Sequence, residues 1–268
     1  MTAIAGRQRR PAKPRPSPVL PIGLVIFAII TWLSLSEAYG IGLDLGDLAE
    51  SITRGAGILG ELLSPNWEFV PRTFQPMLET FQMAVVAAAI GCAIALPVAF
   101  IVSRVTAPNR PALFAGRAVL SVVRAIPDIL YALVFVAAVG IGPLPGIAAL
   151  IFFNVGVVAK LLSETVDGVD DGPIEAARAG GANRTQTVRW AVLPQVLPNY
   201  VAYSLYTFEL NIRASTVIGI VGAGGIGNLL FTQYRFFNWS NVSVIVVELF
   251  VLVFLIEFVS IWLRRRLV

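Results

Sequence analysis

The sequence predicts an all-α, polytopic integral membrane protein with about six transmembrane helices. Three observations lead there. Of 268 residues, 57% are apolar and 13% are charged, whereas soluble domains carry about 25% charged residues. Apolar runs of 18 or more residues recur along the chain, close to the ~20 a helix needs to cross a bilayer. With the N-terminus placed inside, thirteen of the twenty Lys and Arg residues fall in inner segments and three in outer ones, the bias that sets orientation. Both termini are therefore expected in the cytoplasm, with the chain multi-pass in the plasma membrane. The composition also excludes. There is no histidine, and the single cysteine, Cys92, lies inside an apolar run. Histidine-ligated metal sites, histidine acid–base chemistry and disulfides are removed, and no catalytic residue or metal site is assigned. Cys92 reads as a small lipid- or helix-facing residue. The only lysines are Lys13 and Lys160 and no G-x-x-x-x-G-K-[ST] occurs, so this chain holds no P-loop of its own.

Residues 1–18 carry Arg7, Arg9, Arg10, Lys13 and Arg15 among four prolines. This is a basic, disordered tail that sets topology and touches lipid rather than nucleic acid. The run 19–36 is an uncleaved first span: it is long for a signal peptide and no A-x-A site follows. Within 41–63, Leu45, Leu48, Ile52, Leu59 and Leu62 recur at helical spacing with acidic residues between them, an amphipathic helix on the membrane surface. Residues 19–73 thus form a first span plus an extracytoplasmic segment, and 74–268 form the core. Further spans are expected at 80–103, 125–142, 144–162, 199–222 and 242–263. In "RAIPDILYALVF" (124–135), Pro127 disfavours helix at Ile126, so residues 113–124 lie at the inner interface before the span proper.

One stretch interrupts this pattern, "DDGPIEAARAGGANRTQTVRWAVLPQ" (170–195). Asp171 and Pro173 suit a helix start, and Glu175 sits in the first turn, where the macrodipole favours negative charge. Ala176, Ala177 and Ala179 favour helix and keep one surface slim. Gly180 and Gly181 let the chain turn. A second helix over about 184–192 is expected to stop at Leu193-Pro194. Locally, this is either an ordinary loop between spans or a short helix whose slim face fits a groove of another protein.

The spacing Glu175-Ala176-Ala177, then Gly181, then Leu193-Pro194 resembles the EAA motif of ABC importer permeases, with Ala191 where the family usually has a larger apolar residue two before Leu-Pro. The resemblance covers roughly 74–268. It implies a type I importer permease fold, with a coupling helix at about 171–182 docked on an ATPase subunit. It implies a homodimer working with two cytosolic ATPases, which bind ATP and Mg, and with an extracytoplasmic binding protein, by alternating access. "RAIP" (124–127), "GANRTQTVRWAVLPQVLPNY" (181–200) and "NIRASTVIGIVGAGGIG" (211–227) are similar to permeases of the phosphonate, phosphite and phosphate type. The rival class is a self-contained secondary transporter or channel for a small anion, which would need internal repeats; none is evident between the halves.

Gly222, Gly224 and Gly227 satisfy G-x-G-x-x-G, but that fingerprint binds nucleotide only after a strand in a βαβ unit. Here Gly219, Gly222, Gly224, Gly225 and Gly227 serve hinge motion or close helix packing. Six charges lie in the spans, and an intramembrane charge should face protein or a water cavity. Asp128 and Lys160 lie near inner ends. Glu257 is placed to meet the terminal arginines. Glu209 and Arg213, counted from Pro198, fall about 16 and 22 Å up, near the midplane, and their i,i+4 order suits an ion pair. Two readings stay open for them. Either they form a neutralised pair that pins span 5, or Arg213, with Ser215 and Thr216 as hydroxyl donors, borders the substrate path.

Overall fold

A computed structural model describes residues 19–36 and 45–267; the basic tail 1–18 lies outside the described residues. The chain falls into two compact units, Met1–Ile58 and Leu59–Val268. The first holds α1 (Val19–Leu35) and most of α2 (Leu45–Leu62). α1 is apolar throughout and its described side chains from Leu20 to Leu35 are exposed. α2 is amphipathic, with Ile52 and Leu59 exposed.

The second unit is all helical: α3 (Val70–Val102), α4 (Arg110–Ala125), α5 (Asp128–Val139), α6 (Pro143–Asp167), α7 (Asp171–Ala179), α8 (Arg184–Thr187), a π turn (Val188–Val192), α9 (Leu193–Gly219), α10 (Gly225–Arg235) and α11 (Trp239–Leu267). α3 is the central element, packed chiefly on α6 and α9. It starts ten residues earlier than expected, because Pro71 in the first turn opens a helix rather than breaking one. Its buried face is built of small residues, Ala84, Ala87, Ala88, Gly91, Cys92, Ala95 and Ala99, which let helix backbones approach closely. A Cβ on Gly91 would lie 2.6 Å from the Cβ of Asn154 in α6.

Among the described residues, three helical stretches are long and apolar enough to cross a membrane, Trp67–Val102, Pro143–Asp167 and Trp239–Arg265. The expected span at 125–142 is broken instead. Ile126 and Pro127 adopt extended ψ values of 122° and 143°, and α4 meets α5 at 85°. The bent pair together makes a fourth candidate span. α1 is short of the length, and α9 carries Glu209, Asn211 and Arg213 and is less apolar. The six expected spans thus fall on helices of unequal membrane character.

At one end of the bundle a core of Val102, Leu120, Val158, Leu162, Val166, Ile174, Val192 and Val196 joins α3, α4, α6, α7, the π turn and α9. That core seats the residues described next.

Candidate coupling helix and substrate path

α7 begins at Asp171, and Asp170 caps it: its side chain accepts from the Gly172 amide at 3.1 Å. Ile174 is buried at 2% exposure and anchors the helix in the core. The opposite surface, Glu175, Ala176 and Ala179, is exposed, and Ala177 is half-buried. The helix ends in a Schellman turn. Gly181 has φ +80°, its amide donates to Arg178 O, and the Ala182 amide donates to Ala177 O. Glycine holds this left-handed position at no steric cost, and nothing lies within 4 Å of where its Cβ would be.

Two contacts fix α7 against the bundle. Gln195 clamps the entry: its Oε1 accepts from the Asp170 amide at 3.0 Å, while Nε2 donates to Asp170 O at 3.3 Å and to Ala191 O at 2.7 Å. Arg184 fixes the exit, donating to Thr106 O at 2.7 Å and Pro108 O at 2.9 Å in the loop after α3. That loop is tied in turn to Asp167 at the end of α6. Asp167 accepts from Ser103 Oγ and from the Arg104 amide, both at 2.6 Å, and pairs with Arg117 of α4 at 2.9 Å.

The helix expected to stop at Leu193-Pro194 does not stop. The π turn passes directly into α9, and the Leu193 amide donates to Val188 O. Pro194 falls in the first turn of α9, where its missing N–H and fixed φ are tolerated. Leu193 is half-buried and Pro194 exposed.

Higher in α9, Glu209 is buried at 5% exposure. It pairs with Arg213 one turn on, and with Arg264 of α11 at 3.6 Å. Arg264 also donates to Ser260 O and Ser260 Oγ. Glu209 therefore lies within one arginine side chain of the residue that ends the apolar run of α11. Arg264 meets Glu209, and Glu257 is exposed. The side chain of Arg213 is half exposed. Ser215 is fully buried and donates to Ile212 O at 2.9 Å, and half-buried Thr216 donates to the same carbonyl at 3.2 Å. Of the four path candidates, only Arg213 presents an exposed polar group. Lys160 pairs with Glu164 at 2.6 Å, and Asp128, the first residue of α5, accepts from the Ile129 amide at 2.9 Å.

The glycine run folds α10 back on α9. A Cβ on Gly227 would lie 2.1 Å from Thr216 O, and one on Gly219 2.7 Å from Gly224 O. Gly222, Gly224 and Gly225 all have positive φ. The G-x-G-x-x-G glycines do precede a helix, but a helix also precedes them, and the opening amides of α10 are already taken. Gly225 N donates to Glu79 Oε1 at 2.9 Å and Ile226 N to Thr80 Oγ1 at 2.8 Å.

A family model described as "Binding-protein-dependent transport system inner membrane component" matches residues 95–268. The chain belongs to this family. As a binding-protein-dependent permease it is a membrane transport subunit, not an enzyme, and its family works with ATPase and binding-protein subunits. It is 37% identical over 240 residues to the phosphite transport system permease protein PtxC of Stutzerimonas stutzeri, covering 89% of this chain and 87% of that one. It is 42% identical over 213 residues to the phosphate-import permease protein PhnE of Mycolicibacterium smegmatis, with 79% of this chain covered; the chain spans 40% of that relative's length. Among solved structures, the inward-facing MetNI methionine ABC transporter matches with a TM-score of 0.66 at 27% identity, over 76% of this chain and 99% of that chain. The fold is that of a type I ABC importer permease.

Within this permease, four positioning residues escape a reading of the sequence alone: Gln195, Arg184, Asp167 and Arg264. Each acts across a long sequence separation, and no local spacing marks the partner. α10 escapes as well, because its glycine-rich start reads as a loop until Glu79 and Thr80 cap it.

Proposed function

We propose that this permease carries phosphonate, phosphite or phosphate anions inward across the plasma membrane, as a homodimer with both termini in the cytoplasm. Two ATPase subunits bind ATP and Mg and dock on α7, and an extracytoplasmic binding protein delivers the anion. The observation that carries the reading is the pinned α7. Its Glu175–Ala176–Ala179 surface is bare, while Ile174, Gln195 and Arg184 hold its other side to the bundle. A helix held this way transmits a push from a docked partner into α9 and into the loop after α3. ATP closure would draw the two copies of α7 together and open the path outward, and hydrolysis would reverse the motion. The substrate class rests on relatives named for phosphite and phosphate and on the half-exposed Arg213 guanidinium, whose fork suits phosphorus oxyanions.

The test is uptake of labelled phosphite, methylphosphonate and phosphate by proteoliposomes holding the reconstituted complex. ATP-dependent uptake of at least one of them is expected. Uptake of methionine in place of all three would assign the chain to the solute named for the more distant MetI relative, 30% identical over 200 residues.

A further inference from the structure

We propose that a groove between α3, α9 and α11 holds one acyl chain of an anionic phospholipid, with its headgroup phosphate against Arg264. The groove has a volume of about 310 Å³ and is lined by Phe81, Leu205, Phe208, Leu255, Val259 and Leu263, with Ser260 at one end. Phe81 and Phe208 meet edge to face at 5.7 Å and form its floor. The only hydroxyl on its wall, Ser260 Oγ, is buried and engaged by Arg264, so the groove offers an occupant carbon alone.

Position and charge select the occupant. Leu255 to Leu263 run about 12 Å along α11, most of one leaflet of a hydrocarbon core about 30 Å thick. The groove ends where the basic residues begin, so a chain lying in it brings its headgroup to Arg264, which Ser260 holds toward the groove. Glu209 offsets only one of the two arginines that flank it, Arg213 and Arg264. The group therefore keeps one net positive charge for a phosphate diester. A neutral headgroup would gain the acyl contacts without the charge-assisted ones.

The experiment uses the full-length chain, purified in detergent and washed free of lipid. Phosphatidylglycerol, phosphatidylcholine with the same acyl chains, or inorganic phosphate alone is added. Lipid retained per chain is read by mass spectrometry, together with Tm. Phosphatidylglycerol should be retained and should raise Tm, phosphatidylcholine should be retained less, and inorganic phosphate should do neither. Arg264→Gln, which leaves Glu209 paired with Arg213, should bring phosphatidylglycerol down to the phosphatidylcholine level. Val259→Trp should fill the groove and abolish retention of both lipids, with helix content unchanged. Equal retention of the two lipids overturns the proposal, as does a Tm shift reproduced by inorganic phosphate. So does a disulfide between two copies carrying Leu255→Cys in a Cys92→Ser background, because a second copy would then cover the groove.

Discussion

Arg264 of α11 takes one oxygen of the Glu209 carboxylate at 3.6 Å, while Arg213 of α9 takes the other. The carboxylate therefore stays paired when either arginine is lost. Arg213→Gln should leave the fold intact, with a stability loss below about 1 kcal/mol for so exposed a partner, and should still depress uptake. In a purely structural pair, Glu209→Gln with Arg213→Gln would restore what either change impairs. We expect the double variant to stay defective while the ATPase still co-purifies. Full uptake by a well-expressed double variant would remove Arg213 from the path.

Glu175→Lys alters only the exposed surface of α7. The chain should insert and fold normally but lose ATPase co-purification and transport. Gly181→Val puts a β-branched residue at φ +80° and should cost about 1–2 kcal/mol while giving the same uncoupling. Normal uptake by both variants would end the docking role.

Gln195→Ala removes two hydrogen bonds to Asp170 at the entry of α7 and one to Ala191 O in the π turn, each worth about 0.5–1.5 kcal/mol. ATP hydrolysis by the assembled complex should persist while uptake per ATP falls. An unchanged ratio would show that the clamp has no part in transmission.

Gly227→Ala would drive a methyl group onto the Thr216 carbonyl, 2.1 Å away. Overpacking of this kind costs about 1–3 kcal/mol, so yield and Tm should drop. Gly57→Ala, with nothing within 4 Å of the added carbon, is the control. Equal behaviour of the two would mean that the α9–α10 contact is looser than described.

Orientation is testable with single cysteines in a Cys92→Ser background. Cys92 is buried against Thr207 at 3.7 Å, and serine fits the same space. A cysteine at Arg178 should react with impermeant reagents only from the cytoplasm, and one at Arg235 only from outside. The reverse pattern would invert the topology.

Local chemistry made much of this legible in the sequence. Asp171, Pro173 and the glycine pair at 180–181 bound α7 within a few residues of its observed limits, because helix starts and left-handed turns are set by the residues that form them. The i,i+4 spacing of Glu209 and Arg213 likewise announced its own pair. Leu193-Pro194 misled, because a proline reads as a helix stop, whereas the π turn before it carries the chain into α9. The partner role of Arg264 was hidden among three terminal arginines that read as a topology signal. Only the packing of α11 on α9 separates the one that turns back into the bundle.

The π turn has a consequence for how motion can spread from α7. Arg184 ties this region to the loop after α3, which Asp167 binds to the middle of α4 and the end of α6. Through Gln195 and the unbroken π turn, the same region is also joined to α9. A displacement of one short helix is thus shared between two members, a braced plate formed by the loop after α3, the middle of α4 and the end of α6, and a single shaft that carries Arg213. The shaft is itself packed on α3, α6, α10 and α11, so a push on α7 loads plate and shaft together rather than bending either alone.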